Sequence, residues 1–160
     1  MRWMRFSRPG QPGTTLGQVE GDTVRVFEGD LFDDPQATGE RLPLADLTFA
    51  PPCRPGKIVG LWNNFRAAAD KNGWAHPAEP LYFLKSPGSA AAHEQAIAAP
   101  PPEVGRVAYE GELGVVIGRT ARRLAREDAA GCIFGYSCAN DLTAIELLYR
   151  DASFPQWTRA

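Results

Sequence analysis

The stretch YEGELGVVI, residues 109–117, carries the clearest β-strand signal in the chain. Its second half is apolar and rich in branched side chains, which is typical of a strand. Its first half places Glu110 and Glu112 two residues apart. In an extended chain such residues point to the same face, roughly 6–7 Å apart at their Cα atoms. We therefore expect a strand over residues 113–117 that two carboxylates lead into, on one face if the chain is already extended there.

Two neighbouring carboxylates repel each other unless a cation lies between them. A third carboxylate, Asp141, follows a predicted strand further along the chain. Three carboxylates with no histidine or cysteine beside them suit a hard divalent cation such as Mg²⁺, Mn²⁺ or Ca²⁺, and do not suit zinc. The alternative is purely structural: Glu110 and Glu112 would form a solvent-facing polar stripe, and Asp141 would cap a helix.

The segments around this strand predict a mixture of strands and helices. Residues 57–61 indicate a buried strand, residues 81–85 a second strand and residues 136–140 a third. Residues 64–72 have helical composition and end at Gly73, a suitable C-cap. Two further helices are predicted over residues 126–134 and 142–149, the second capped by Asp141. Strict βαβ alternation is absent, so the fold class predicted is α+β.

The first fifty residues predict a small β structure. Alternating apolar residues at 23–27 indicate a strand, which the turn at residues 20–22 would join to residues 17–19 as a hairpin. Residues 29–41 are polar and rich in turn formers, and we expect a loop there. The proline-rich residues 51–55 mark a boundary. We therefore predict a small N-terminal β domain at residues 1–55 and a main domain at residues 56–160.

Composition narrows the class of protein. The 160 residues include 16 glycines and 14 prolines, which argues against a helical bundle. A net charge of -2 gives no basic surface for nucleic acid, and no apolar run approaches the roughly 20 residues that span a bilayer. The three cysteines lack metal-binding or redox spacing, which favours free thiols in a reducing cytoplasm. Cys132 and Cys138 lie in apolar sequence and are expected to be buried.

Five segments together resemble the fumarylacetoacetate hydrolase family, in that family's order and spacing. They are KIVGL at 57–61, PLYFLK at 80–85, YEGELGVVIG at 109–118, GYSCAND at 135–141 and QWTRA at 156–160. The N-terminal segment is similar to the small leading domain of bacterial members. In relatives the chain continues beyond the last of these segments, so we expect the C-terminal part of the main domain to be missing here and strand edges to be exposed.

This resemblance implies a fold, a metal site and a class of reaction. The fold would be a mixed β-sheet roll, usually a homodimer, with Glu110, Glu112 and Asp141 holding a divalent cation, commonly Mg²⁺. Members act on small 2-oxo or 1,3-diketo acids by C–C hydrolysis, isomerisation or decarboxylation, through a metal-stabilised enolate. Lys85 lies near the site in relatives and would orient a substrate carboxylate; the alternative is a solvated lysine at a strand end.

Two positions depart from the family pattern. Ala68 occupies the position where many hydrolytic members carry a histidine, and Ile145 the position where many carry an arginine. An alanine cannot act as the general base that activates water. The pattern therefore favours decarboxylation or tautomerisation. The alternative is a weakened or inactive member that serves as a metal-binding, ligand-binding or structural subunit.

Overall fold

Strand pairing organises the chain in the computed structural model, which describes residues 1–155. The family-like segment at residues 156–160 lies outside the described residues. Strands and short helices are mixed without βαβ alternation, which confirms the α+β class. None of the helices in the described part of the chain is long and apolar enough to cross a membrane.

The N-terminal part forms one antiparallel sheet of five strands in the order β4-β3-β2-β1-β5. The strands are β1 (Trp3–Ser7), β2 (Thr15–Glu20), β3 (Thr23–Asp30), β4 (Asp33–Pro43) and β5 (Thr48–Ala50), with a 3-10 turn at Leu44–Asp46 before β5. Its core consists of the buried side chains of Met4, Phe6, Val24 and Val26. Alternate positions of β1 and β3 thus supply one covered face of the sheet.

The hairpin predicted around residues 20–22 is confirmed, because β2 and β3 pair from Glu20 opposite Thr23. The loop predicted over residues 29–41 is wrong. Strand β3 continues to Asp30, and β4 extends along its edge from Asp33. Most of β4 is exposed. A polar edge strand needs no apolar alternation, because its stability comes from pairing with the neighbouring strand.

Up to residue 155, the second part of the chain contains three strand pairs. Its elements are β6 (Ile58–Trp62), α1 (Arg66–Asn72), β7 (Leu81–Lys85), β8 (Val107–Ala108), β9 (Gly111–Ile117), β10 (Ile133–Asn140), β11 (Thr143–Ala144) and α2 (Ile145–Leu148). Strand β6 pairs with β7, β9 with β10, and β8 with β11, all antiparallel. The predicted strands at 81–85, 113–117 and 136–140 are confirmed. Helix α1 ends at Gly73 with a φ of 68°, the left-handed C-cap expected there.

Two helix predictions need correction. The helix expected over residues 126–134 is a 3-10 helix from Arg126 to Cys132, and the chain is already in β10 at Ile133. The helix expected over residues 142–149 is reduced to the four residues of α2, because residues 143–144 pair with β8 instead. At residues 133–134 and 143–144, strand pairing replaces the predicted helical conformation.

Two strand pairs in the second part of the chain have an exposed apolar face. One face of the β6–β7 pair carries exposed apolar side chains, with Val59 and Tyr82 being 50% and 68% exposed. One face of the β9–β10 pair does the same, with Leu113 and Tyr136 being 64% and 65% exposed. The predicted buried strand at residues 57–61 is therefore covered on only one face. Cys138 is also exposed, contrary to expectation, whereas Cys132 is buried.

Candidate functional site

The β8–β11 and β9–β10 strand pairs have the same register and are separated by a short break. Ala108 of β8 lies opposite Thr143 of β11, and Gly111 of β9 lies opposite Asn140 of β10. Both chains advance equally between these pairs, so no residue is inserted on either side. The four strands therefore form one long hairpin that is interrupted once, and each chain contributes two residues to the interruption.

The interruption contains two of the three predicted carboxylates. Glu110 lies on one chain and Asp141 on the other, and the Asp141 N–H donates to the Glu110 carbonyl at 2.9 Å. Facing residues of an antiparallel pair direct their side chains to the same side. Glu112 stands two positions further along β9, on the covered face of that strand. The hairpin thus brings Glu110, Glu112 and Asp141 to one side.

Strand β7 brings a lysine to the same place. The Lys85 ammonium forms an ion pair with the Asp141 carboxylate, and it also donates to the Leu142 carbonyl at 3.3 Å. The Phe83 ring lies beneath Lys85, with Nζ 5.9 Å from the ring centroid. Phe83 lies opposite Gly60 in β6, and a Cβ at that glycine would collide with the ring. Gly60 therefore leaves room for the ring that supports Lys85.

The pKa of the Glu112 carboxyl depends on its burial and on the charged side chains around it. Burial raises the pKa of the Glu112 carboxyl, the charges of Asp141 and Glu110 raise it further, and Lys85 opposes them. Three carboxylates thus face one ammonium group, and the site carries excess negative charge.

The structure separates the two explanations proposed for Asp141. Helix α2 has Ala144 at its N-cap position and no side-chain cap, so the prediction that Asp141 caps this helix is wrong. Asp141 is directed at Lys85, a residue from a distant strand. The three carboxylates lie on one side of the hairpin without meeting at one point. Among residues 1–155, no three acidic, histidine or cysteine side chains are grouped closely enough to hold an ion.

The donor chemistry of this site nevertheless suits a divalent cation. The three carboxylates offer oxygen only. Burial is the largest cause of the raised pKa of Glu112, and the charges of Asp141 and Glu110 add to it; a cation would compensate those charges. A hard cation such as Mg²⁺ fits these donors.

The two departures from the family pattern, Ala68 and Ile145, lie on α1 and at the start of α2. Ala68 is exposed on α1, and its side chain offers no proton-accepting group. The two histidines of the chain are both exposed, and His76 pairs with Asp70 at 2.8 Å. Ile145 is half-buried, and its N–H donates to the Arg106 carbonyl at 3.0 Å. None of these contacts offers a general base to the side of the hairpin where Glu112 lies.

Sequence comparison places the two parts of the chain in known families. The family described as fumarylacetoacetate (FAA) hydrolase, C-terminal, matches residues 57–160. The family described as Rv2993c-like, N-terminal, matches residues 1–52.

Individual relatives include several enzymes. The oxaloacetate tautomerase YisK of Bacillus subtilis is 36% identical over 66% of this chain and 36% of its own length. The solved structure of 5-carboxymethyl-2-hydroxymuconate delta-isomerase from Mycobacterium smegmatis superimposes with a TM-score of 0.83 at 30% identity, covering 100% of this chain and 61% of that one. Maleylpyruvate hydrolase from Sphingobium sp. SYK-6, in complex with manganese (II) ion and pyruvate, gives a TM-score of 0.66 at 29% identity over 89% of this chain and 59% of that one. The chain spans 54% and 61% of the length of two further curated relatives.

Proposed function

The chain belongs to the fumarylacetoacetate hydrolase family, and from that premise we propose that it acts in a divalent-metal-dependent enzyme on small 2-oxo or 1,3-diketo acids. Relatives that tautomerise, isomerise and hydrolyse such acids support this class of substrate. The observation that carries the proposal is that Glu110, Glu112 and Asp141 lie on one side of the interrupted hairpin, where Lys85 pairs with Asp141.

Glu110, Glu112 and Asp141 would hold the cation, which we propose is Mg²⁺, with Mn²⁺ or Ca²⁺ as alternatives. The manganese ion in the Sphingobium relative supports a divalent metal. When bound, such an ion supplies Lewis-acid polarisation of a substrate carbonyl. Lys85 supplies a fixed positive charge beside that position, suited to orienting the carboxylate of the acid.

Among the reactions of the family, we propose isomerisation or decarboxylation in preference to C–C hydrolysis. Hydrolysis needs a group that accepts a proton from water, and general-base catalysis contributes typically 10²–10⁴-fold in rate. Ala68 offers no such group, and His76 is paired with Asp70. Enol–keto interconversion of a 2-oxo acid needs no water to be activated.

Removal of metal tests this proposal. We expect tautomerisation of oxaloacetate, followed by the ultraviolet absorbance of its enol, to fall by at least about 100-fold after EDTA treatment, because Lewis-acid stabilisation contributes several kcal/mol. Added Mg²⁺ or Mn²⁺ should restore it. Full activity without metal would contradict the proposal. Metal binding without turnover of any 2-oxo acid would instead favour a ligand-binding or structural subunit, which the departures at Ala68 and Ile145 would then explain.

Replacing Lys85 tests its role at the substrate. We expect Lys85→Met to raise KM by about 10–100-fold, because a hydrogen bond between charged groups contributes roughly 1.5–3 kcal/mol. Mn²⁺ affinity should not fall, because the substitution removes a cation that competes for Asp141. Lys71→Met, at the exposed end of α1, is the matched control. An unchanged KM would show that Lys85 serves only to pair with Asp141.

We further propose that the protein is a homodimer, that the division into residues 1–55 and 56–160 separates its two domains, and that it works in the cytoplasm. The three free cysteines support a reducing compartment. Two apolar sheet faces support association, since neighbouring large side chains on the β6–β7 and β9–β10 pairs are about half exposed or more.

Dissociation of the dimer should follow from a polar substitution on one of these faces. Leu113 is 64% exposed on β9. We expect Leu113→Ser to weaken dimerisation by at least about tenfold, because burying a leucine side chain contributes roughly 1.5–3 kcal/mol. Light scattering coupled to size-exclusion chromatography over a concentration series measures this. Leu124→Ser, in the exposed segment after β9, is the control. A parent protein that is monomeric at all concentrations would contradict the homodimer.

A further inference from the structure

Asn140, the last residue of β10, completes the hydrogen bonding of Glu110. In one kind of antiparallel pair, two facing residues exchange two backbone hydrogen bonds. Here the Asp141 N–H donates to the Glu110 carbonyl at 2.9 Å. The Glu110 N–H donates instead to the side-chain Oδ1 of Asn140 at 3.1 Å. The Asn140 side chain thus takes the place that the Asp141 carbonyl has in a regular ladder.

Because the Asn140 side chain acts as this acceptor, β10 can end at Asn140 while Glu110 stays opposite Asp141. Both backbone polar groups of Glu110 are bonded to residues 140 and 141, so the glutamate remains facing Asp141 within the break between the two strand pairs. The Asp141 carbonyl is therefore not needed as the acceptor of the Glu110 N–H. At the next residue, the Leu142 carbonyl accepts from Lys85 at 3.3 Å. Only a short side chain with an acceptor oxygen can replace a main-chain carbonyl in this way.

We propose that Asn140 is a positioning residue of the metal centre. By accepting the Glu110 N–H, its side chain sets where Glu110 stands relative to Asp141, and so how well these two carboxylates can share one ion. This inference rests on the proposed function. Residues that orient metal ligands from behind typically contribute 10–100-fold to metal affinity.

The experiment compares the parent with Asn140→Ala, Asn140→Asp and Cys138→Ala. Alanine removes the acceptor, aspartate keeps it, and Cys138 is an exposed neighbour on the same strand that serves as the control. Amide hydrogen exchange of Glu110 in the metal-free protein reports on the hydrogen bond itself. Titration with Mn²⁺, followed by electron paramagnetic resonance, reports both the Kd and the symmetry of the bound ion.

We expect Asn140→Ala to speed Glu110 exchange by up to about tenfold and to raise the Mn²⁺ Kd by about tenfold or more, with an altered spectrum. Asn140→Asp should restore slow exchange, and Cys138→Ala should match the parent in both measurements. A parent that binds no Mn²⁺ would overturn both the proposed function and this inference. A parent that binds Mn²⁺, with the same Kd and spectrum in Asn140→Ala, would overturn the positioning role alone. Weaker binding with unchanged Glu110 exchange would also overturn it.

Discussion

Replacing Glu112 with glutamine is expected to weaken divalent-ion binding by at least about 100-fold and to reduce turnover by about 1,000-fold. The substitution keeps the shape of the side chain and removes one of the three negative charges on this side of the hairpin. Calorimetric titration with Mn²⁺ and the enol assay measure the two effects. Glu79→Gln, in the exposed segment before β7, is the matched control and should behave like the parent. Undiminished ion affinity in Glu112→Gln would remove this residue from the metal site.

The same variant should be more stable than the parent in the absence of metal. Burial and the charges of Asp141 and Glu110 raise the pKa of Glu112, so the folded chain holds this proton more tightly than the unfolded chain does. The stability that the protonated form contributes is therefore lost as the pH rises from the ordinary glutamate value of about 4.3 through the raised pKa. We expect the difference in free energy of unfolding between Glu112→Gln and the parent to grow over that pH range and to stay constant above it. Urea denaturation at several pH values in EDTA measures it, and an advantage that shrinks with rising pH would contradict the raised pKa.

The largest effect on stability is expected at Phe6. Its side chain is fully buried (0% exposed) in the core of the five-stranded sheet, which it forms with Met4, Val24 and Val26. We expect Phe6→Ala to lower the free energy of unfolding by about 3–5 kcal/mol, because it removes apolar burial and leaves a cavity. A domain with a typical stability of about 5–15 kcal/mol loses a large share of it. Urea denaturation followed by tryptophan fluorescence measures the change, since Trp3 of β1 packs on Phe27 at a ring-centroid distance of 4.8 Å.

The matched control for this core is Phe65→Ala. The Phe65 side chain is 58% exposed before α1, and its removal should change the free energy of unfolding by about 0.5 kcal/mol or less. Equal effects of the two substitutions would contradict the assignment of Phe6 to the core. Comparing the two substitutions thus distinguishes the effect of losing a buried phenylalanine from the effect of losing an exposed one.

Elements with strong local signals were predicted correctly from the sequence. Helix α1 ends at Gly73 because glycine adopts the left-handed conformation that the C-cap requires. The β2–β3 hairpin follows from alternating apolar residues on either side of a turn with Gly21 at a φ of 61°. Such signals act within a few residues, so they are present in the sequence itself.

Elements whose strand pairing is not marked by a local sequence pattern were predicted poorly. Strand β4 is polar, and only its pairing with β3 distinguishes it from a loop. Residues 143–144 have a helical pattern but pair with β8, far away in the chain. The free energy of such pairings depends on which segments the chain topology brings together, and a local pattern does not contain that information.

The candidate site also has features that the sequence indicates and features that depend on the fold. Sequence alone determined the family. It also predicted Glu110, Glu112 and Asp141 as oxygen donors for a hard cation and, through the family resemblance, Lys85 as a substrate contact. Only the tertiary structure decided that Asp141 pairs with Lys85 instead of capping a helix, and that the Asn140 side chain holds the backbone of Glu110. The physical reason is that ion pairs and side-chain hydrogen bonds act over a few ångströms, and only the folded hairpin brings those atoms within that distance.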